Sequence, residues 1–197
     1  LIIKLSNDQQ ITIPKGSTSG SVTFAVQNDD PYIDGEKFSI GIDSAIGGGY
    51  SDLNTNDQAT VTVRDTIDTV TLDLSATTTA DEGSSITYTA TLAGGVANND
   101  IKVKLKNGEF ITIKAGDESG SVTIDAPTDD VILDAGTITN EIESAVEVDS
   151  NGDNIAPNTK GLLENLRLAD DTSVSTSISD TIDTVTLDLS ATTTADE

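Results

Sequence analysis

The eighteen residues DTIDTVTLDLSATTTADE occur twice without a change, at 65–82 and again at 180–197, an offset of 115 residues. A second correspondence runs through the middle of the chain at an offset of 100. There LSNDQQITIPKGSTSGSVTFAVQNDDPYID from Leu5 aligns with LKNGEFITIKAGDESGSVTIDAPTDDVILD from Leu105. The offset changes after Ser44 and Ser144, so the second copy carries about fifteen more residues at that point. Repetition on this scale constrains a fold more than any local signal, because each copy must be one unit packed in the same way. Three stretches follow: 1–66 as the back part of one module, 67–181 as a complete module, and 182–197 as the opening strand of another. Leu1 corresponds to Ile101, so the first module lacks counterparts of the strands that precede Ile101. It is expected to be open at that edge, or completed by residues 185–189 of another copy.

Within each copy the apolar residues alternate with polar ones, the period of a half-buried strand. Strand A carries Val70, Leu72 and Leu74; strand B carries Ile86, Tyr88, Ala90 and Leu92. Strand C carries Ile101, Val103 and Leu105, then an Asn107-Gly108 turn leads to Ile111 and Ile113 in D. Strand E places Val122, Ile124 and Ala126 inward, and strand G places Val174, Thr176 and Ile178 inward. In the first copy Phe38, Ile40 and Ile42 give a clear strand F, and Ala59, Val61 and Val63 a strand G. Strand F of the second copy (Ile138, Asn140, Ile142) alternates less cleanly and is expected to be an edge or irregular. About seven short strands per module define an all-β fold of tandem immunoglobulin-like antiparallel β-sandwiches. In the extra segment, DSNGD at 149–153 reads as a turn, and Leu162, Leu163 and Leu166 have a spacing that admits one or two helical turns.

Charge and composition narrow the function classes. The 34 acidic residues against 10 basic ones give a net charge of −24, which repels nucleic acid and anionic lipid. Cys and His are both absent, so the chain has no thiolate nucleophile, no disulfide and no imidazole base or zinc ligand. No apolar run is long enough to span a bilayer as a helix. An acid-rich chain without His, Cys or Trp and without a platform of aromatics is a poor catalyst, and no enzymatic activity is expected.

In a seven-strand sandwich the A–B, C–D and E–F turns share one pole with the end of strand G. The acids fall there: Asp81 and Glu82 in A–B, Glu109 in C–D, Asp129, Asp130 and Asp134 in E–F, then Asp180 and Asp183 after G. The first copy repeats part of the set as Asp29, Asp30, Asp34, Glu36, Asp65 and Asp68. Carboxylates converging on one pole raise one another's proton affinity unless a cation joins them. Calcium, with six to eight oxygen ligands in flexible geometry, matches an all-oxygen donor set better than magnesium. The competing explanation is a solvated acidic surface of turn-forming Asp and Asn.

The stretches ADEGSSITYTATL, ITIPKGSTSGSVTFAV, NDDPYIDGEKFSI and QATVTVRDT resemble a Calx-β-type module. They are similar, more broadly, to the calcium-dependent immunoglobulin-like repeats of giant type I-secreted (RTX) adhesins of Gram-negative bacteria. The resemblance implies ligands at Glu82 in the A–B turn, at Asp29, Asp30, Asp34 and Glu36, and at Asp65. In the second copy it implies Asp129, Asp130, Asp134 and Asp180. Two positions depart from the pattern: Gly136 stands where the first copy has Glu36, and Arg64 stands where the second has Ser179.

The function this implies is a calcium-stabilised extender on a bacterial cell surface. It would partner neighbouring repeats of the same polypeptide and project a distal region that meets the host or surface ligand. Residues 64–69 form so short a joint that calcium shared across it would stiffen it. A second reading makes the inserted loop 147–173 a binding element for carbohydrate or protein. A third is a calcium sensor of the exchanger type, against which the tandem repetition and the absence of Cys argue.

Overall fold

The computed structural model describes residues 1–191, 193 and 194, in two compact units, Leu1–Asp68 and Thr69–Glu197. Both are all-β, and no helix among the described residues is long and apolar enough to cross a membrane.

The first unit is a single antiparallel sheet. Its strands are β1 (Ile2–Leu5), β2 (Gln10–Thr12), β3 (Lys37–Ile46) and β4 (Gln58–Thr62), in the order β2-β1-β3-β4. The β1–β2 hairpin closes through Leu5 N–H to Gln9 O at 2.9 Å and Asp8 N–H to Leu5 O at 3.0 Å. Asp8 adopts φ 64° there, the left-handed conformation that Asp tolerates and that Gly108 supplies in the second copy. Only Leu5 and Ile40 among the unit's hydrophobic residues are buried, each with 9% of its surface exposed. The sheet's apolar face is otherwise half-buried or exposed.

Residues 20–26 show the consequence for backbone pairing. GSVTFAV forms no strand, whereas its counterpart GSVTIDA lies largely in β10 (Ser119–Asp125) of the second unit. There β10 pairs along its length with β7 (Ser85–Ala93), and the first unit has no counterpart of β7. A stretch that shares GSVT and the same alternation is thus strand or not according to whether its neighbour is present.

The second unit is a complete sandwich. One sheet has the order β10-β7-β5-β13, with β5 at Thr69–Ala76 and β13 at Asn165–Leu168. The opposing layer is built from β11 (Gly136–Asn140), β14 (Val174–Ser179) and β6 (Thr79–Asp81), in the order β11-β14-β6. It continues with β12 (Ile142–Val148), β8 (Asp100–Leu105) and β9 (Phe110–Ile113), in the order β12-β8-β9. Between the sheets lie Val70, Leu72, Ile86, Tyr88, Ile101, Val103, Leu105, Ile111 and Ile113, all essentially inaccessible, on the alternation the sequence prescribes. Val122 and Ile124 are only half-buried because β10 is an edge strand.

Strand F is irregular, as its sequence indicates. It divides into β11 and β12 at Glu141, with a register shift between Ile142 and Ser144. The buried Asn140 causes the break chemically: its Oδ1 accepts the N–H groups of Asn107 (3.2 Å) and Glu141 (3.0 Å). The first copy has Ile40 at this position and β3 runs unbroken for ten residues, although the same register shift recurs opposite Lys4 and Leu5 and so does not depend on Asn140.

The inserted segment differs from the sequence expectation, since no helical turn forms in it. Leu166 and Leu168 instead belong to β13, which pairs in parallel with β5 (Leu166 opposite Val70, Leu168 opposite Leu72). The edge of β5 offers unpaired backbone groups, and a strand laid along it satisfies them, which outweighs a short helix on local propensity. Ala169 N–H to Leu72 O at 2.8 Å extends the pairing. Leu162 and Leu163 are buried, and the buried Glu147 accepts the Leu163 N–H at 2.9 Å. DSNGD is a turn: Asp149 Oδ1 accepts the N–H groups of Asn151 (2.9 Å) and Asp153 (3.0 Å), which holds its carboxyl below the usual range. After β14 the chain forms no strand through Ala191.

Candidate metal centre

Strand alternation decides which acid of the A–B turn faces inward. Ala80 and Glu82 are buried, whereas Asp81 between them is exposed. Glu82 is held at the end of the parallel β6–β14 pair, its N–H donating to Ser179 O at 3.0 Å. Gly83 then turns the chain with φ 71°, and a Cβ there would stand 3.3 Å from the Cβ of Asp129. The same alternation along β14 puts Thr176 and Ile178 inward, and Asp180 follows on that face. The third acid arrives on the loop before β11, whose Asp134 N–H donates to Asp180 Oδ1 at 3.2 Å.

Carboxylate oxygens of Glu82, Asp134 and Asp180 all lie within 4.8 Å of one another, and among the described residues they are the one such group of three. Glu82 is only 6% exposed, and its Oε2 is buried without a hydrogen-bond partner. A buried, unpartnered carboxylate oxygen among other acids is costly in water-free surroundings. Proton sharing with Asp134 pushes the Glu82 carboxyl up to about 7, helped by burial and by the charges of Asp134, Asp180 and Asp130. A cavity of about 210 Å³, lined in part by Glu82, Asp134, Pro127 and Ile178, adjoins the group.

The donor set fits a hard cation. Two oxygens that share a calcium ion at about 2.3–2.6 Å can stand at most roughly 4.6–5.2 Å apart, and all three carboxylates meet that limit. Glu82, Asp134 and Asp180 would hold such an ion directly.

Asp129 and Asp130 flank the group and shape the loop. Asp130 Oδ1 accepts the Ile132 N–H at 2.7 Å, and Asp129 accepts the hydroxyl of Thr181. Thr181 was not among the sequence candidates. Its signal is the Asp-Thr pair that follows strand G in both copies, since Thr66 donates to Asp29 in the same way.

The first unit repeats the frame. Asp34 N–H donates to Asp65 Oδ2 at 3.2 Å, and Asp30 Oδ1 accepts Tyr32 N–H at 2.9 Å. Asp29, Asp30, Asp34 and Asp65 line a cavity of about 260 Å³ together with Arg64. Burial, then the neighbouring Asp30 and Asp65, raise the Asp34 carboxyl above its usual range. The unit has no counterpart of Glu82, and Arg64 brings a cation to the cavity wall.

Other sequence candidates lie outside the group of three. Glu109 sits in the β8–β9 turn, which is fastened to Asn140; that is four strand residues, about 13 Å, from Gly136 at the pole. The C–D turn therefore does not reach the pole, and Glu109 is removed from the candidate ligands. Asp81 points out of the sandwich, and Asp183 and Asp68 are exposed beyond the strand ends. Glu36 pairs through its backbone with Val63 in both directions and leaves its side chain in solvent, so Gly136 at the matching position removes nothing from the three-carboxylate group.

Fold and site together define an immunoglobulin-like β-sandwich repeat with an all-oxygen carboxylate centre at one pole. A family model for the LapA domain matches residues 1–66 and 68–181. The chain belongs to the LapA domain family, which gives it an adhesion-related, cell-surface context. No curated protein matches the chain.

Proposed function

We propose that the chain is a calcium-stabilised extender segment of a large secreted bacterial adhesin, related to the Calx-β-like repeats of the RTX type. The observation that carries the calcium reading is the buried Glu82, whose Oε2 has no hydrogen-bond partner and whose carboxylate is grouped with those of Asp134 and Asp180. An ion there relieves the repulsion among three acids and ties the A–B turn, the E–F loop and the end of β14 into one pole. The extender reading is supported by the exact repetition of eighteen residues, by the family match and by the use of the inserted segment. That segment spends Leu162 and Leu163 on the core and Leu166 and Leu168 on a strand beside β5, which favours a structural role over recognition of carbohydrate or protein by 147–173. Extracellular calcium modules bind at about 10⁻⁴–10⁻³ M, so millimolar calcium contributes about 1 kcal/mol per site by mass action. Calorimetric melting of the full chain in calcium, in magnesium and in excess chelator tests the proposal. A higher melting temperature in calcium alone is expected; identical melting in all three overturns it.

A further inference from the structure

The outer face of β12-β8-β9 differs from the rest of this acidic surface. Four of the six lysines and arginines beyond residue 68 are Lys102, Lys104, Lys106 and Lys114. Alternation along β8 and β9 turns all four away from the core. Three of them are paired with acids on the same face: Lys104 with Glu143, Lys106 with Glu141 and Lys114 with Asp100. With Glu109 in the adjoining turn, four cations meet four carboxylates. In a chain of net charge −24, this face is locally neutral.

The same face carries a knob and a hollow. Phe110 on β9 is 45% exposed and Val146 on β12 is 37% exposed. Lys102 sits opposite Val146 and Thr112 on the neighbouring strands, and its Nζ lies 4.7 Å from the centre of the Phe110 ring. A cavity of about 310 Å³ is lined in part by Lys102, Thr112, Lys114 and the turn at 149–152. Phe110 stands two residues before Thr112 and Lys114 two after it, so knob and hollow lie on either side of Thr112. At the positions of Lys102, Phe110 and Lys114 the first copy has Ile2, Gln10 and Pro14. The knob and these two cations therefore belong to the second unit alone.

We propose that two copies of the chain pair through this face about a two-fold axis beside Thr112. The rotation carries Phe110 of each copy into the hollow of the other, where the ammonium groups of Lys102 and Lys114 meet its ring as cation–π partners. Such a contact is isologous and closes at two chains. Charge selects the surface, because two chains at −24 repel wherever acids dominate and are spared that repulsion here. It also selects the occupant. An anionic ligand competes with three carboxylates already paired to the lysines, whereas a second copy leaves those pairs intact and covers Phe110 and Val146. Three short strands make a small interface, so the pair is weak, and added salt strengthens it by screening the net charge.

Sedimentation equilibrium of the full chain up to about 1 mM tests this, at fixed calcium so that the outcome is independent of the metal reading. The weight-average mass is expected to rise toward twice that of the chain and no further, and to do so at lower concentration in added salt. Phe110→Gln, which installs the residue of the first copy, and Lys102→Glu are each expected to raise the dissociation constant about tenfold or more, with melting near that of the wild type. The chain has no cysteine, so Thr112→Cys places a lone thiol beside the axis. It is expected to give a disulfide-linked dimer on oxidation, whereas Ser121→Cys on the opposite outer face gives none. A chain that stays monomeric throughout, or that grows past a dimer, overturns the proposal. So do dissociation constants unmoved by both substitutions, equal cross-linking from positions 112 and 121, or a chain that binds polygalacturonate through Lys102 and stays monomeric.

Discussion

The backbone N–H of Asp134 donates to Oδ1 of Asp180 at 3.2 Å, fastening the loop before β11 to the residue that follows β14. Asp34 and Asp65 repeat the contact at the same distance in the first unit. That unit has no counterpart of Glu82, so the Asp–Asp frame forms without the third acid. Glu82 completes the centre and creates its electrostatic difficulty.

Replacing that acid separates the two effects. Glu82→Gln keeps the shape and removes one charge from a crowded site. In chelator the variant is expected to melt at or above the wild-type temperature, because a repulsion is gone. In calcium it is expected to melt lower, with affinity at the second unit reduced about tenfold or more, since affinity follows ligand charge. Parallel shifts in both conditions would show that Glu82 has no part in binding calcium.

The pH dependence has a defined sign. Glu82 in the folded protein holds its proton up to about 7, against an ordinary value of 4.5. Between those values the folded state binds more protons than the unfolded state, so stability falls as pH rises through that window and is flat for this group above it. Metal-free wild type is therefore expected to lose stability from pH 5 to pH 8 more steeply than metal-free Glu82→Gln. Denaturant unfolding at a series of pH values measures both slopes, and equal slopes would contradict the assignment.

Two acidic turns at opposite ends of the second unit should respond differently. Asp129→Ala with Asp130→Ala removes the carboxylates that accept from Thr181 and Ile132 and flank the centre. This pair is expected to weaken calcium binding. Asp149→Ala opens the DSNGD turn, beside the β12 end that pairs with Asp100, and is expected to leave calcium affinity unchanged. Equal losses in a calcium titration of the two variants would remove the special status of the Glu82 pole.

A repeated glycine gives a test of packing. A Cβ at Gly120 would lie 2.3 Å from the carbonyl oxygen of Thr112, and one at Gly20 would lie 2.3 Å from that of Thr12. Both contacts are with backbone, which cannot swing aside. Gly120→Ala is expected to destabilise the second unit by about 1–3 kcal/mol, read by denaturant unfolding, without changing calcium stoichiometry.

Most of the architecture was legible in the repeat and in period two, because burial on one face dictates alternation. Val70 to Leu74 and Ile101 to Leu105 face inward as the sequence requires. The inserted segment was not legible: Leu162, Leu163 and Leu166 fit a helical stripe locally. Only the unpaired edge of β5, more than ninety residues away, makes Leu166 and Leu168 a strand. At the centre, Glu82, Asp134 and Asp180 were among the sequence candidates, but so were Glu109 and Asp183. Composition and turn position could not separate them, since Glu109 is set apart by the β8–β9 turn being fastened to Asn140 and Asp183 by its exposure beyond β14. Thr181 went unread because a hydroxyl carries no charge signal.

Calorimetric titration of the full chain with calcium, with magnesium as control and Glu82→Gln in parallel, measures the central claim. Saturable calcium binding is expected at about 10⁻⁴–10⁻³ M, absent or far weaker with magnesium and diminished in Glu82→Gln. No calcium heat, or binding that Glu82→Gln leaves intact, would contradict it.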